Sequence, residues 1–484
     1  MSEIDIWALL LGITHVVLGL LATVLVSRNR KPAEAIAWVM MIVFIPFLGV
    51  AAYLLIGFGR LPAHRRAKQR EVNELMLRRT GGSWPKTHSP LWPNWLSSAA
   101  ELNMALGALP MVGGNRITLN DDYLGTIKEM AEAIDDAQEH VHVQFYIGVL
   151  DDATAPFFGA LARACERGVQ VRVLVDHVAS LMYPRRTETI RFLDSIGAQL
   201  HQMLPLRPWR GQWQRPDLRN HRKLLVIDGS VGFTGSMNLI EPRYHKAKNI
   251  QRGLTWHELM MRIEGPAVRE LDAVFITDWY SETGTLLELR PPSSSAPTWN
   301  GNIDAQVLPS GPSFENDNSL KLFTLMIHQA TTRVSITSPY FVPDESILLA
   351  ILTTAARGVP IELFVSEIGD QALVHHAQRS YYEALLRAGV RIYLYRAPKV
   401  LHAKHFSIDD EVAIVGSSNM DMRSFSLNME VSVLLHGPEL LNDLLAVQDG
   451  YRERSRELHL EEWLSRTLWQ RTADNLARLT SMLQ

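Results

Sequence analysis

Hydrophobic and polar positions change their pattern near residue 60. Residues 6–26 form a run of 21 without a charge, and residues 35–58 a second of 24; each exceeds the ~18–20 apolar residues that a spanning helix needs. Two transmembrane helices are the expectation. The amino end, Ser2-Glu3-Ile4-Asp5, has no basic stretch of the kind a cleaved signal peptide carries. Pro46 and Gly49 interrupt the second run, which membrane helices tolerate better than soluble ones. Arg28, Arg30 and Lys31 lie between the runs, and Arg60, Arg65, Arg66, Lys68 and Arg70 follow them. A hairpin divides these clusters between opposite sides, and the larger one favours a cytoplasmic position for the rest of the chain.

From Ile117 onward the periodicity alternates between amphipathic helices and short apolar strands, an α/β pattern. It predicts helices at 121–137, 155–167 and 187–196, the last two stopped by Gly168 and Gly197, with strands at 141–147, 169–175, 223–228 and 231–234. The order returns later in the chain: helices at 320–330, 346–357 and 372–388, strands at 334–338, 361–365 and 391–395. A helical tail at 440–484 is expected to dock on this second part.

The punctuation between these patterns sets the domain plan. Residues 1–60 hold the membrane helices and 61–108 a connector with Trp84, Trp92 and Trp95. Residues 109–289 make a first α/β domain, 290–304 a linker marked by Pro291-Pro292, Pro297 and Gly301, and 305–484 a second α/β domain with the tail. Within the first domain, 206–220 is an insertion carrying Arg207, Trp209, Arg210, Trp213 and Arg215. Contact with lipid headgroups and a plain folded loop both fit it.

Composition narrows the function. The net charge of −3 provides no global basic field for nucleic acid. Cys165 is the single cysteine, which excludes a disulfide framework and a thiolate metal site; on its apolar helical pattern it reads as a core thiol.

The chemistry lies in a stretch that occurs twice. His221-Arg222-Lys223-Leu224-Leu225-Val226-Ile227-Asp228 is followed by Gly235-Ser236-Met237-Asn238, and His402-Ala403-Lys404-His405-Phe406-Ser407-Ile408-Asp409 by Gly416-Ser417-Ser418-Asn419. Both copies read H-x-K-x4-D, with the Gly-Ser pair starting 14 residues after the histidine. Glu258 and Glu430 each stand seven residues before a Gly-Pro. Upstream, 162–169 and 353–359 both run through Arg-Gly-Val into an apolar strand. A repeat of roughly 180 residues is too long for a solenoid and implies a duplicated domain. Strand alternation puts His and Lys of each copy on one face.

On these residues the chain resembles the phospholipase D superfamily and, within it, the bacterial cardiolipin synthases. The likeness extends to Trp38, Pro46 and Gly57 in the apolar runs, to Arg262-Ile263-Glu264-Gly265-Pro266 and to Ser338-Pro339-Tyr340-Phe341-Val342-Pro343. It implies two phospholipase D-like α/β domains related by a pseudo-two-fold axis and preceded by two transmembrane helices. It also implies a multi-pass protein of the bacterial inner membrane with phosphatidylglycerol and membrane lipids as partners, no nucleic acid and no cofactor. The activity it implies is transfer of a phosphatidyl group from one phosphatidylglycerol to another with release of glycerol. A membrane phospholipase D, or a transferase using another donor or alcohol, stays open as the alternative, with a phosphodiesterase or nuclease behind them.

The residues suit that chemistry. A phosphodiester is anionic, so its equatorial oxygens must be neutralised while attack and departure proceed in line. Lys223 and Lys404 supply charge, and Ser236, Asn238, Ser417 and Asn419 supply hydrogen-bond donors for the phosphate. No metal is then required. One imidazole attacks phosphorus to form a phosphohistidine while a second protonates the leaving alkoxide. In family terms His221 is the nucleophile and His402 the acid/base, a choice the symmetry of the sequence does not make. Glu258 and Glu430 resemble the family's acidic partners for His221 and His402. Asp228 and Asp409 complete the motif and are expected to fix its geometry by hydrogen bonds.

Overall fold

The computed structural model describes residues 3–28, 32–57, 61, 65–69, 71–72, 87, 89–210, 212, 215–289, 301–312, 314 and 317–481. Arg30, Lys31, Arg60, Arg70, Trp84, Trp213 and the linker residues 290–300 lie outside them.

The first half contributes strands β1 (Val112–Asn120), β2 (His140–Phe145), β3 (Gln170–Asp176), β4 (Gln199–Met203), β5 (Leu224–Ile227), β6 (Val231–Gly235), β7 (Thr255–His257) and β8 (Met260–Glu264). The second contributes β9 (Ile303–Ser310), β10 (Val334–Thr337), β11 (Phe341–Val342), β12 (Ile361–Ser366), β13 (Arg391–Tyr395), β14 (Lys399–Leu401), β15 (His405–Ile408), β16 (Val412–Gly416), β17 (Met420–Asp421), β18 (Glu430–His436) and β19 (Ser455–Leu458). Fifteen of them form one continuous sheet, in the order β19-β13-β12-β10-β15-β16-β18-β9-β1-β8-β6-β5-β2-β3-β4. Its centre is the antiparallel pair β1–β9. From that pair the two halves run outward in matching order, which is the pseudo-two-fold relation expected of a duplication.

Each half builds its outer sheet from three parallel strands, β2-β3-β4 and β10-β12-β13. The crossover helices Ala155–Glu166 and Glu345–Ala356 cover one face, and β2 and β12 are buried throughout. At the centre, the helices Ala267–Thr283 and Pro438–Glu453 start directly after the two Gly-Pro boundaries. They bury Leu271, Phe275, Leu440 and Leu444 in one core with Val112, Leu224, Val307 and Val431. The halves therefore share a hydrophobic core, and the site between them is set by packing as firmly as any interior.

Three expectations change. The helix at 372–388 is two helices, Ala372–Arg379 and Tyr382–Arg387. Between them the Ser380 hydroxyl donates to the Ala377 carbonyl at 2.6 Å, a local bond that competes with helix continuation. The tail is not wholly helical, because Ser455–Leu458 adds to the sheet edge antiparallel to β13; four residues with two charges give no strand periodicity to read. The second apolar run is two short helices, Pro32–Phe44 and Pro46–Ile56. Pro46 lacks an amide and its ring crowds the preceding turn, and the chain folds back so closely that a Cβ on Gly49 would lie 2.6 Å from the Met41 carbonyl. Among the described residues no helix is long and apolar enough to cross a membrane.

The repeated Gly-Ser pairs have a packing cause. A Cβ at Gly235 would lie 2.4 Å from the Leu259 oxygen, and one at Gly416 would lie 2.5 Å from the Val431 oxygen. Only glycine lets these strands approach the backbone next to Glu258 and Glu430. Gly416→Ala is therefore expected to lower unfolding stability by about 1–3 kcal/mol, measured by denaturant unfolding of the detergent-solubilised protein. An unchanged midpoint would contradict the close-approach account.

Candidate active site

The two motif histidines stand just ahead of β5 and β15, and each is held by the other half of the protein. The His221 amide donates to the Met429 carbonyl at 2.8 Å, and the His402 amide donates to the His257 carbonyl at 2.8 Å. Around these contacts run a parallel bridge between Asn220 and Met429 and the parallel pair β7–β14. The residue after each accepting carbonyl is a glutamate, so the backbone contact delivers a carboxylate to the ring of the opposite half. His221 Nδ1 lies 3.0 and 2.9 Å from the Glu430 carboxylate oxygens, and His402 Nδ1 lies 2.7 Å from Glu258 Oε1. The sequence order, Glu258 with His221 and Glu430 with His402, is thus crossed in the structure. The two-fold puts each glutamate nearer to the histidine of the other copy than to its own.

Both rings open into one cavity of about 410 Å³. Its walls include Tyr146, Arg219 and Asn238 from the first half and Tyr340, Asp370, Asn419, Asp421 and Arg423 from the second. Burial pushes the His221 imidazole down to about 4, against the pull of Glu430, and lowers that of His402 against Glu258. Burial alone would raise the two carboxyls, but the facing His and Lys residues hold both below the usual carboxylate range. The resulting resting state is a neutral ring on an ionised carboxylate. Nδ1–H donates to the glutamate, leaving the Nε2 lone pair free to act as nucleophile or base.

Lys223 and Lys404 sit behind the rings, almost fully buried. Each donates to the carbonyl of its own histidine, Lys223 at 2.6 Å and Lys404 at 2.5 Å. Burial lowers both ammonium groups, Lys404 to about 8, while Glu258 and Glu430 oppose the shift. Two lysines and two glutamates thus form a buried, balanced quartet.

The remaining motif residues divide by role. Asn238 and Asn419 line the cavity, and the Asn238 amide donates to the Tyr244 hydroxyl at 3.0 Å. The serine hydroxyls are engaged elsewhere. Ser417 donates to Glu430 Oε2 at 2.6 Å and accepts from the Val431 amide at 3.0 Å, while Ser236 accepts from the Leu259 amide at 2.9 Å. They position the glutamates, a role distinct from the phosphate contact expected of them. Asp228 accepts from the amides of Gln138, Glu139 and His140 at 2.7–2.9 Å. Asp409 does the same for Thr331, Thr332 and Arg333 at 2.7–3.0 Å. Both sit at positive φ, 51° and 54°, and tie the end of each motif strand to the start of β2 or β10.

Sequence reasoning passed over Tyr146, Arg219, Asp370, Asp421 and Arg423, which share no spacing between the halves. Arg222, inside the motif, was also passed over; it ion-pairs with Asp278 and its Nε donates to the Glu430 carbonyl at 2.9 Å. One group with metal-ligand composition exists among the described residues, His140, His142 and Asp272. His142 Nδ1 meets Asp272 at 2.6 Å and its Nε2 meets Arg172 Nη1 at 3.2 Å. Because a guanidinium only donates, Nε2 accepts and Nδ1 carries the proton, so neither nitrogen offers a lone pair to a cation.

A family model described as "Cardiolipin synthase, PLD-like domain" matches residues 130–279 and 323–448, and one described as "Phospholipase_D-nuclease N-terminal" matches 17–57. Cardiolipin synthase A of Pectobacterium carotovorum subsp. carotovorum is 31% identical, over 97% of this chain and 96% of its own. Cardiolipin synthase A of Serratia proteamaculans is 32% identical, with the same coverage. Among solved structures, phosphatidylserine synthase of Haemophilus influenzae superposes with a TM-score of 0.59 over 80% of this chain and 100% of that one, at 15% identity. This last match is a likeness of fold.

The electrostatics predict a pH dependence. A lysine lowered to about 8 carries its charge below that pH and loses it above, so binding of an anionic diester weakens as pH rises through about 8. The expected profile of kcat/KM on a lipid diester falls with rising pH in that region, chiefly through KM. A flat profile there would contradict a charged Lys404 in the site.

Proposed function

The chain belongs to the cardiolipin synthase family of phospholipase D-like enzymes, and from that premise we propose that its two histidines carry one phosphatidyl group between two phosphatidylglycerol molecules. The protein is a phosphatidyltransferase, and it makes cardiolipin with release of glycerol. The observation that carries the mechanism is the single cavity into which His221 and His402 open, each ring set by a glutamate of the opposite half.

In the first step His221 Nε2 attacks phosphorus of the donor lipid as the P–O bond to glycerol breaks, and His402, protonated, gives its proton to the departing oxygen. The anionic phosphate itself favours that proton, offsetting the lowering by burial. In the second step a glycerol hydroxyl of another phosphatidylglycerol loses its proton to His402 and attacks the phosphohistidine, which restores His221 and yields cardiolipin. Lys223 and Lys404 neutralise the diester, and Asn238 and Asn419 donate to its oxygens. Glu430 and Glu258 fix the tautomers, as the carboxylate does in the serine-protease triad.

The helices at the amino end hold the protein at the bacterial inner membrane, with the catalytic halves on its cytoplasmic side. Supporting this are the side chains of Trp7, Leu10, Leu11, Val16, Leu20 and Val24, large apolar groups that stand exposed on Glu3–Val26. A lipid tether suits an enzyme whose donor and acceptor are both lipids.

Purified protein with pure phosphatidylglycerol is expected to give cardiolipin and glycerol in equal amounts; phosphatidic acid alone would make it a hydrolase. His221→Ala and His402→Ala are each expected to lower turnover at least about 10³-fold with unfolding midpoints near wild type. Deleting residues 1–60 is expected to move the protein from the salt-washed membrane pellet to the supernatant, and unchanged sedimentation would remove the tether.

A further inference from the structure

The two walls of the cavity are not equivalent, although the fold that builds them is duplicated. Tyr146 and Tyr340 each follow the first parallel strand of their half. Each sets its ring edge-on to the motif histidine, with centroids 5.0 Å from His221 and 6.1 Å from His402. Their surroundings are opposite in charge. Burial and then Asp176 raise the Tyr146 hydroxyl to about 12, and the guanidinium groups of Arg423 and Arg219 oppose that rise; Arg219 is ion-paired with Asp176 at 3.3 Å, while Arg423 faces the cavity. Arg219 stands two residues before His221, where the second half has Val400 two before His402. The Tyr340 hydroxyl instead donates to Asp370 Oδ1 at 2.9 Å and accepts from Gln371 Nε2 at 3.1 Å. Asp421 also lines the cavity and accepts the Ser424 amide at 2.7 Å, but it lies between the walls: burial and Glu430 raise its carboxyl to about 6 and Arg423 opposes the rise. Asp370 favours the charged forms of His402 and Lys404, which places its carboxylate on the His402 side of the site.

A carboxylate repels phosphate and accepts hydrogen bonds from neutral hydroxyls, and such charge-assisted bonds are stronger than neutral ones. We propose that Asp370 and Tyr340 form the binding site for the glycerol headgroup, holding first the departing glycerol and then the glycerol of the acceptor lipid beside His402. The inference rests on the phosphatidyl-transfer reading and deepens it. The alcohol leaves and arrives along the acidic wall, so its proton is handled by His402. The phosphatidyl anion stays against the arginine wall, on His221. Electrostatic asymmetry thus assigns the two histidines where the symmetric motif does not. It also distinguishes the alcohol accepted, because two adjacent hydroxyls can satisfy acceptors that a single hydroxyl leaves unpaired.

The test is a partition between acceptors that compete for the same phosphatidyl-enzyme. Full-length protein in mixed micelles of phosphatidylglycerol is given isotopically labelled glycerol and 1-propanol at equal concentration. Labelled phosphatidylglycerol and phosphatidylpropanol are then counted by mass spectrometry. Wild type is expected to favour glycerol, and Asp370→Asn and Tyr340→Phe are each expected to lower the ratio about tenfold. Arg423→Gln is expected to slow both products together. The ratio is read from whatever active enzyme survives, so partial misfolding does not shift it, and Tyr340→Phe carries the test should Asp370→Asn fail to fold. An unchanged ratio in the variants would overturn the headgroup site. Absence of both labelled phosphatidylglycerol and phosphatidylpropanol from wild type that still makes cardiolipin would overturn the phosphatidyl-enzyme reading beneath it.

Discussion

Each catalytic imidazole is held by a carboxylate from the other half of the protein, and the rest of the arrangement depends on that exchange. The crossing begins in the backbone, with the amides of His221 and His402 donating across the interface to Met429 and His257. Because the next residue in each case is Glu430 or Glu258, a ladder contact becomes a side-chain contact without any further element. Neither half alone holds a complete histidine–glutamate pair. The shared core under β1 and β9 therefore has a chemical as well as a mechanical role. It keeps two rings in fixed tautomers on either side of one cavity, and rigid packing is what holds such a geometry to the tolerance that catalysis needs.

The same duplication gathers charge that would be costly if left unpaired. Lys223, Lys404, Glu258 and Glu430 are all buried, and isolated charges in such a place would carry a penalty of several kcal/mol each. Opposite signs in equal number make the burial tolerable. A diester entering between the histidines adds a negative charge, which restores protonation that burial has weakened on Lys404 and His402. Substrate binding and activation of the acid are in this way one electrostatic event. The wall residues then break the symmetry, arginine beside His221 and aspartate beside His402, and a symmetric scaffold gains a direction.

Much of this was legible in the sequence because the motif is repeated. Equal spacing of His, Lys, Asp, Gly-Ser and the Glu before Gly-Pro marked the duplicated α/β fold, and period-2 and period-3.6 patterns located most strands and helices within a few residues. Spacing carries no information about which copy faces which, so the crossing of Glu258 and Glu430 was invisible. It also does not separate a serine that meets phosphate from one that steadies a glutamate, as Ser417 does at 2.6 Å from Glu430. Ser455–Leu458 escaped because an edge strand with two charges and one buried leucine has no alternation to detect. The fold-back at Pro46 escaped because hydropathy measures the length of an apolar run and not its direction. The wall residues Asp370 and Arg219 escaped because they differ between the copies, and a repeat draws attention only to what is the same.

The most direct measurement is the identity of the covalent adduct. Wild-type enzyme is mixed with phosphatidylglycerol, quenched at alkaline pH during turnover, digested and read by tandem mass spectrometry. The account predicts a phosphatidyl mass on the peptide that contains His221, lost on brief acid treatment as a phosphoramidate bond should be, and absent from His221→Ala. An adduct on any other residue, or none in enzyme that still releases glycerol, would contradict it.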